Sequence, residues 1–168
     1  MNRFVRKAVL AATIIAAPVF AATPALAAGN GTPKKTTAVD TAAYEVEVVK
    51  LTNAERAKKG CPALRIDDRL TKAARAHSAD MVGANFFSHT GSNGSNFVAR
   101  EVAAGYPKKG ASAENIAWGY RTPKEVVTGW MNSSGHRANI LNCSSIAVGV
   151  GVVYKGSAPY WTQDFGRI

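Results

Sequence analysis

The stretch from Ile146 to Phe165, IAVGVGVVYKGSAPYWTQDF, constrains the fold more than any other part of the chain. Ile146 to Tyr154 is dense in Val and Ile, Lys155-Gly156-Ser157-Ala158 has turn composition, and Pro159 to Phe165 is aromatic and β-prone. Two such runs joined by a short Gly-containing link predict a β-hairpin. Gly149 and Gly151 interrupt its first arm, and glycine inside a strand predicts a close backbone approach or a bulge. A third strand is expected at Ser112 to Trp118.

Upstream of the hairpin the hydrophobic period is helical. Ala42 to Lys59 sets Val46, Val49, Leu51, Ala54 and Ala57 against Glu45, Glu47, Lys50, Glu55 and Lys58, and Gly60 and Pro62 stop it. Asp67 or Asp68 can cap a second helix in which Leu70, Ala73, Ala74, His77 and Met81 share one face. His77 is therefore expected to be a packed histidine with one ring nitrogen bonded to backbone, not a ligand. A turn-rich loop, Gly91 to Ser95, leads to a short helix from about Asn96 to Ala104. Thr122-Pro123-Lys124-Glu125 combines a Thr cap, Pro at the first helical position and Glu placed to return the capping bond. That helix is expected to reach Asn132 and to bury Val126, Val127, Trp130 and Met131. The fold class is α+β, with about four helices on a small antiparallel sheet.

The first residues have the form of an export signal. Met1 to Lys7 is short and basic, Ala8 to Ala22 is almost wholly apolar, and Ala25-Leu26-Ala27 is a small-x-small cleavage pattern. Residues 1–27 are read as a cleaved secretory signal peptide, 28–41 as a flexible spacer rich in Gly, Thr, Pro and Lys, and 42–168 as one domain. The protein is expected to be secreted. Oxidising surroundings then favour a disulfide between the two cysteines, Cys61 and Cys143. They stand 82 positions apart, and closing such a loop is worth about 4 kcal/mol in chain-entropy models. The formal charge is +10, of which Arg3, Arg6 and Lys7 would leave with the signal. The surplus favours anionic surfaces such as acidic wall polymers or lipid headgroups. The lysines come in scattered pairs without a nucleic-acid motif, so no nucleic-acid partner is expected, and the protein is taken as a monomer.

No H-E-x-x-H, G-x-S-x-G or paired-cysteine metal motif is present. Three polar residues stand in apolar company: His89 in FFSHTG, Glu114 in AENIAWG and His136 in SSGHRANIL. A carboxylate among Ala113, Ile116, Ala117 and Trp118 needs a partner if buried, and an imidazole is the natural candidate. Trp130, Trp161 and Phe165 are read as core.

The succession FFSHTG, AENIAWG, TPKEVVTGWMNSSGHRANILN, VGVGVV and YWTQDFG closely resembles the bacterial branch of the CAP superfamily (cysteine-rich secretory protein, antigen 5 and pathogenesis-related 1; SCP-like extracellular proteins) over about Val48 to Gly166. The resemblance implies an α-β-α sandwich with a surface cleft holding His89, Glu114 and His136. In several relatives the two histidines coordinate a divalent metal, often zinc, which suits neutral imidazole. Two departures thin the acidic complement expected of the cleft. Ser133 stands where eukaryotic members carry a second Glu, and Ile146-Ala147 stands where bacterial relatives often show Thr-Glu.

Gly135 is expected to let the backbone turn so that His136 faces the cleft, with Ile140 and Leu141 anchoring the next turn in the core. Arg137 and Asn139 are read as surface or loop-bonding groups. Three functions are compatible with these features. The first is a non-catalytic binding module holding a lipid, another small ligand or a divalent metal. The others are a metal-assisted hydrolase or peptidase with Glu114 as base, and a structural protein of the cell surface or wall.

Overall fold

The structure, a computed structural model, describes residues 39–168. The expected signal peptide and most of the expected spacer lie outside the described residues. Helix α1 spans Thr41–Lys59, with the Asp40 side chain accepting from the Ala43 N–H and Gly60 closing the helix at φ +80°, the left-handed conformation that favours glycine. Strand β1 is Arg65–Ile66. Asp67 caps α2, Asp68–Gly83, by accepting from the Arg69 N–H. Asn96 caps α3, Phe97–Ala103. Strand β2 is Ala111–Trp118, and α4 is Pro123–Asn132, entered through the full Thr122/Glu125 capping box with Pro at its start. Helix α5, Ser134–Ile140, comes directly after it, and β3 (Ala147–Lys155) and β4 (Ala158–Gly166) form the hairpin.

The expected α+β sandwich is present, with two refinements. A fifth helix, α5, holds the SGHRANI segment; it is seven residues long and has no side-chain cap, so neither a period nor a start signal marks it. The sheet has four strands in the order β1-β3-β4-β2, and β1 pairs with β3 in parallel while the other pairs are antiparallel. Two residues of β1 cannot display an alternation, which is why the sequence conceals them.

Strand alternation sorts the sheet into two faces. Val148, Val150 and Val152 of β3, Ala117 of β2, and Trp161 and Phe165 of β4 join Val48, Val49, Val126, Trp130 and Ile140 in one apolar core beneath α1, α4 and α5. The opposite face receives α2. An added Cβ at Gly149 would stand 2.0 Å from the Thr71 backbone nitrogen, and one at Gly151 2.3 Å from that of Arg75. The hairpin glycines therefore mark the close approach of α2 to β3, and Ser78 uses it to donate to the Gly151 carbonyl at 3.1 Å. Leu70, Ala73, Ala74, His77 and Met81 are all buried there, as their shared face predicts.

Across the sheet from α2, Arg56 reaches from α1 into the segment after α5. Cys61 and Cys143 are bridged at the same place, tying the end of α1 to the segment beyond His136. Strand β2 is the edge of the sheet next to these helices, and edge strands leave backbone groups without partners. Here the Trp130 indole donates to the Ile116 carbonyl at 3.1 Å and Asn139 donates to that of Glu114 at 3.3 Å.

Candidate functional site at the edge of β2

Glu114 and Asp164 face each other directly in the β2–β4 register, so their side chains emerge on the same face of the sheet, the one covered by α2. Glu114 is buried, and one of its oxygens lies 2.7 Å from Nδ1 of His89. Its other oxygen accepts from Arg100 Nη2 at 2.5 Å. The imidazole partner expected from the sequence is thus His89. Arg100, from α3, is invisible in the sequence as a site residue, and it also donates to the carbonyls of Ser95 and His89 at 2.8 and 3.0 Å. It thereby fixes the FFSHTG loop to the sheet.

Two further carboxyl groups stand behind Glu114, where the sequence suggests a shortage of acid. Glu101 is fully buried and Asp164 nearly so, and no donor reaches the oxygens of either. Burial, then the charge of Glu114, pushes the Glu101 carboxyl up to about 8, with Arg100 opposing. Burial also raises Asp164 well above the usual carboxylate range, followed by the charges of Glu114 and Glu101, with Arg100 opposing. As three bare carboxylates these groups would repel one another; protonating Asp164 supplies a donor and relieves the repulsion. The signal that could find Asp164 is its parity: an acid at the alternate position to Trp161, Gln163 and Phe165 in a strand buried on both faces.

His77 fits its expectation. It is fully buried, its Nε2 lies 2.9 Å from the Ser88 carbonyl, and Glu114 is 4.0 Å away. Burial lowers its pKa, partly offset by Glu114.

His136 lies on α5, on the other side of the β2 edge. Gly135 makes no turn: it is an ordinary helical residue, and an added Cβ would meet no atom within 4 Å. The helix itself aims His136 into an open cavity of about 280 Å³, whose walls include Phe87, Trp118, Tyr120, Trp130 and Ser133. Burial, then the neighbouring His89, lowers the His136 pKa, which favours a neutral ring. Asn139, expected to be a surface or loop-bonding group, bonds instead to strand β2: it donates to the Asn115 side chain at 2.9 Å as well as to the Glu114 carbonyl. Asn115 in turn donates to the His136 carbonyl at 3.3 Å, so α5 is fastened to the strand that carries Glu114.

The donor set does not fit a dedicated metal centre. Among the described residues no three His, Cys, Asp or Glu side chains are grouped to hold a metal ion, whereas zinc sites use three or four protein ligands. Glu114 is already engaged by Arg100 and His89, leaving two imidazoles.

The sequence profile of the cysteine-rich secretory protein (CAP) family matches residues 49–165. The chain belongs to the CAP family. Among bacterial CAP relatives it is 50% identical over 125 residues to the uncharacterized protein YkwD of Bacillus subtilis, a match covering 73% of this chain and 47% of that protein. It is 36% identical to the uncharacterized membrane protein YlbC of the same organism, over 72% of this chain and 34% of that one. The match thus spans less than half the length of either relative. An extracellular SCP-domain protein of Bacillus anthracis superposes with TM-score 0.70 and 32% identity, over 76% of this chain and 41% of that chain. An outer surface protein of Borrelia burgdorferi shares the fold, with TM-score 0.69 at 22% identity over 77% and 96% of the two chains. In the CAP domain described here no helix is long and apolar enough to cross a membrane.

Proposed function

We propose that this CAP domain is an exported, non-catalytic binding module whose cleft at the β2 edge holds an organic ligand. The observation that carries the proposal is the state of Glu114. Glu114 is buried, one of its oxygens faces His89 and the other faces Arg100, and it does not line the cavity open to a ligand, so its polar bonds serve the two protein partners. Along the same strand, next to His136, lies an open cavity lined by aromatic side chains together with Ser133 and His136, the combination of apolar walls and few polar groups that small-ligand sites share. Export is supported by the basic-then-apolar N-terminal pattern and by the similarity to the extracellular SCP-domain protein of Bacillus anthracis. The basic surplus then draws the protein to anionic surfaces.

The test is capture. The protein and a His89→Ala, His136→Ala double variant are incubated separately with total lipid and with solubilised wall material, and co-purifying molecules are identified by mass spectrometry. A ligand recovered by the wild type and lost in the variant supports the proposal. Recovery of nothing from either source overturns it, and so does hydrolysis of any component that disappears in Glu114→Gln.

A further inference from the structure

Three aromatic side chains on this side of the molecule are open to solvent: Phe87 is 50% exposed, Trp118 56% and Tyr120 40%. They are not scattered. Phe87 and Trp118 both contact Tyr160, with ring centroids 6.4 and 6.1 Å away, and all three exposed rings line the cavity beside His136. An apolar surface grouped in this way marks an interaction site.

Tyr120 has a further role. Its ring lies against Gly129, where an added Cβ would come within 2.6 Å of Tyr120 Cζ. Glycine in the middle of α4 weakens the helix relative to alanine, and the ring seated there is its structural counterpart. Tyr120 and Gly129 also line a second open cavity, of about 550 Å³, together with Lys124, Thr128 and Asn132. The two cavities therefore share Tyr120 and Gly129 as lining residues, with His136 in one and Lys124 in the other. Lys124 stands exposed at the second cavity beside Glu125, whose carboxylate accepts from the Arg121 and Thr122 N–H groups, and the basic surplus of the chain as a whole favours an anionic ligand over a neutral one.

We propose that these two adjoining cavities act as one groove and bind an acidic saccharide chain, an inference that rests on the binding-module reading and names its ligand class. A pyranose ring has an apolar C–H face and a rim of hydroxyls. The exposed rings of Trp118 and Tyr120 meet the face; Ser133, His136, Thr128 and Asn132 meet the rim; Lys124 meets a carboxylate. A lipid chain is apolar along its whole length and suits an enclosed aliphatic channel, whereas this groove is open and alternates aromatic with polar groups.

Tryptophan fluorescence tests the proposal directly, because Trp118 is exposed while Trp130 and Trp161 are buried. The protein is titrated with a 1,4-linked tetrasaccharide of alternating N-acetylglucosamine and N-acetylmuramic acid, with neutral tetra-N-acetylchitotetraose, and with phosphatidylglycerol vesicles. The expected result is a saturable blue shift with the acidic sugar, a roughly two- to fivefold weaker one with the neutral sugar, and none with vesicles. Trp118→Ala, followed by calorimetry, and Gly129→Ala, which displaces the Tyr120 ring, should each weaken binding roughly three- to tenfold, while the Gly129→Ala melting temperature stays equal or rises. A response to vesicles alone overturns the saccharide inference and leaves the binding-module reading standing. No response to any probe, with nothing captured from lipid or wall material, overturns both. Sugar binding unaffected by both variants overturns the assignment to this groove.

Discussion

The two faces of the sheet each bury charged groups, and they treat them in opposite ways. On the α1 side, Arg56 is fully buried, and its guanidinium donates to the carbonyls of Pro62, Ile140, Asn142 and Ser145 at 2.7 to 3.0 Å. Burial lowers its pKa, yet every contact is a short bond to backbone oxygen, and no carboxylate is needed. On the α2 side, Glu101, Glu114 and Asp164 crowd together with one arginine among them, and the oxygens of Glu101 and Asp164 find no donor. A saturated polar group locks one arrangement; an under-supplied one depends on protons. The locked group secures the segment beyond His136, and the proton-dependent group lies directly behind Glu114 and His89. The locked network and the proton-dependent cluster are therefore separated by the sheet.

This contrast is open to measurement. The largest effect should come from Arg56→Met, which leaves four carbonyls without their donor: a loss of about 3–5 kcal/mol is expected, read by urea unfolding. A loss under about 1 kcal/mol would mean that water replaces the guanidinium and that the α1 side is no more locked than the other. Removing the Cys61–Cys143 bridge in the same background should cost less than the sum of the separate changes, since both fasten one segment.

Next in size is Glu101→Gln. The folded state raises the Glu101 carboxyl from 4.5 to about 8, so it favours the neutral form. That contribution is fully present below pH 4.5 and is lost as pH rises through about 8. The variant should therefore be more stable than wild type by an amount on the order of a few kcal/mol at about pH 9, and nearly equal to it at about pH 5. Parallel melting curves across this range would show that the acid cluster is hydrated and ionised throughout.

A smaller effect concerns His136. Its pKa is lowered in the fold by burial and by His89, so its contribution is present above its ordinary value of 6.5 and is lost as pH falls through the lowered one. The stability change should be smaller than that at Glu101, because His136 is only partly buried. NMR titration of the ring should show His136 moving back toward its ordinary value in His89→Ala; an unmoved titration would separate the two histidines. The smallest expected effect is none: calorimetric titration with Zn²⁺ should show no stoichiometric tight site. A tight site lost in the His89→Ala, His136→Ala variant would mean that Glu114 leaves Arg100 to complete a metal centre.

Legibility in the sequence tracks the range of the interaction. The caps of α1, α2 and α4 are contacts within three or four residues, so Asp67 and Thr122-Pro123-Lys124-Glu125 announce them. Gly149 and Gly151 announce a close approach but not the helix that makes it. Of the candidate site, His89, Glu114 and His136 stand out as polar residues in apolar company. Arg100 does not, because an arginine on a short polar helix looks solvated until β2 is placed beside it. Asn139 likewise resembles a surface residue, since α5 is too short to show a period.

The sequence by itself determined what local chemistry can encode: the α+β class, the hairpin, most helix starts, the pairing of two lone cysteines and the family pattern. Only the tertiary structure decided which charges meet. The β2–β4 register sets Glu114 opposite Asp164, far along the chain, and the turn of α3 sets Glu101 and Arg100 against both. It also brings Tyr120 onto Gly129 and the exposed aromatics Phe87, Trp118 and Tyr120 around one cavity. These contacts arise from register, helix orientation and burial, which are collective properties of the packed chain and leave no mark on any short stretch of it.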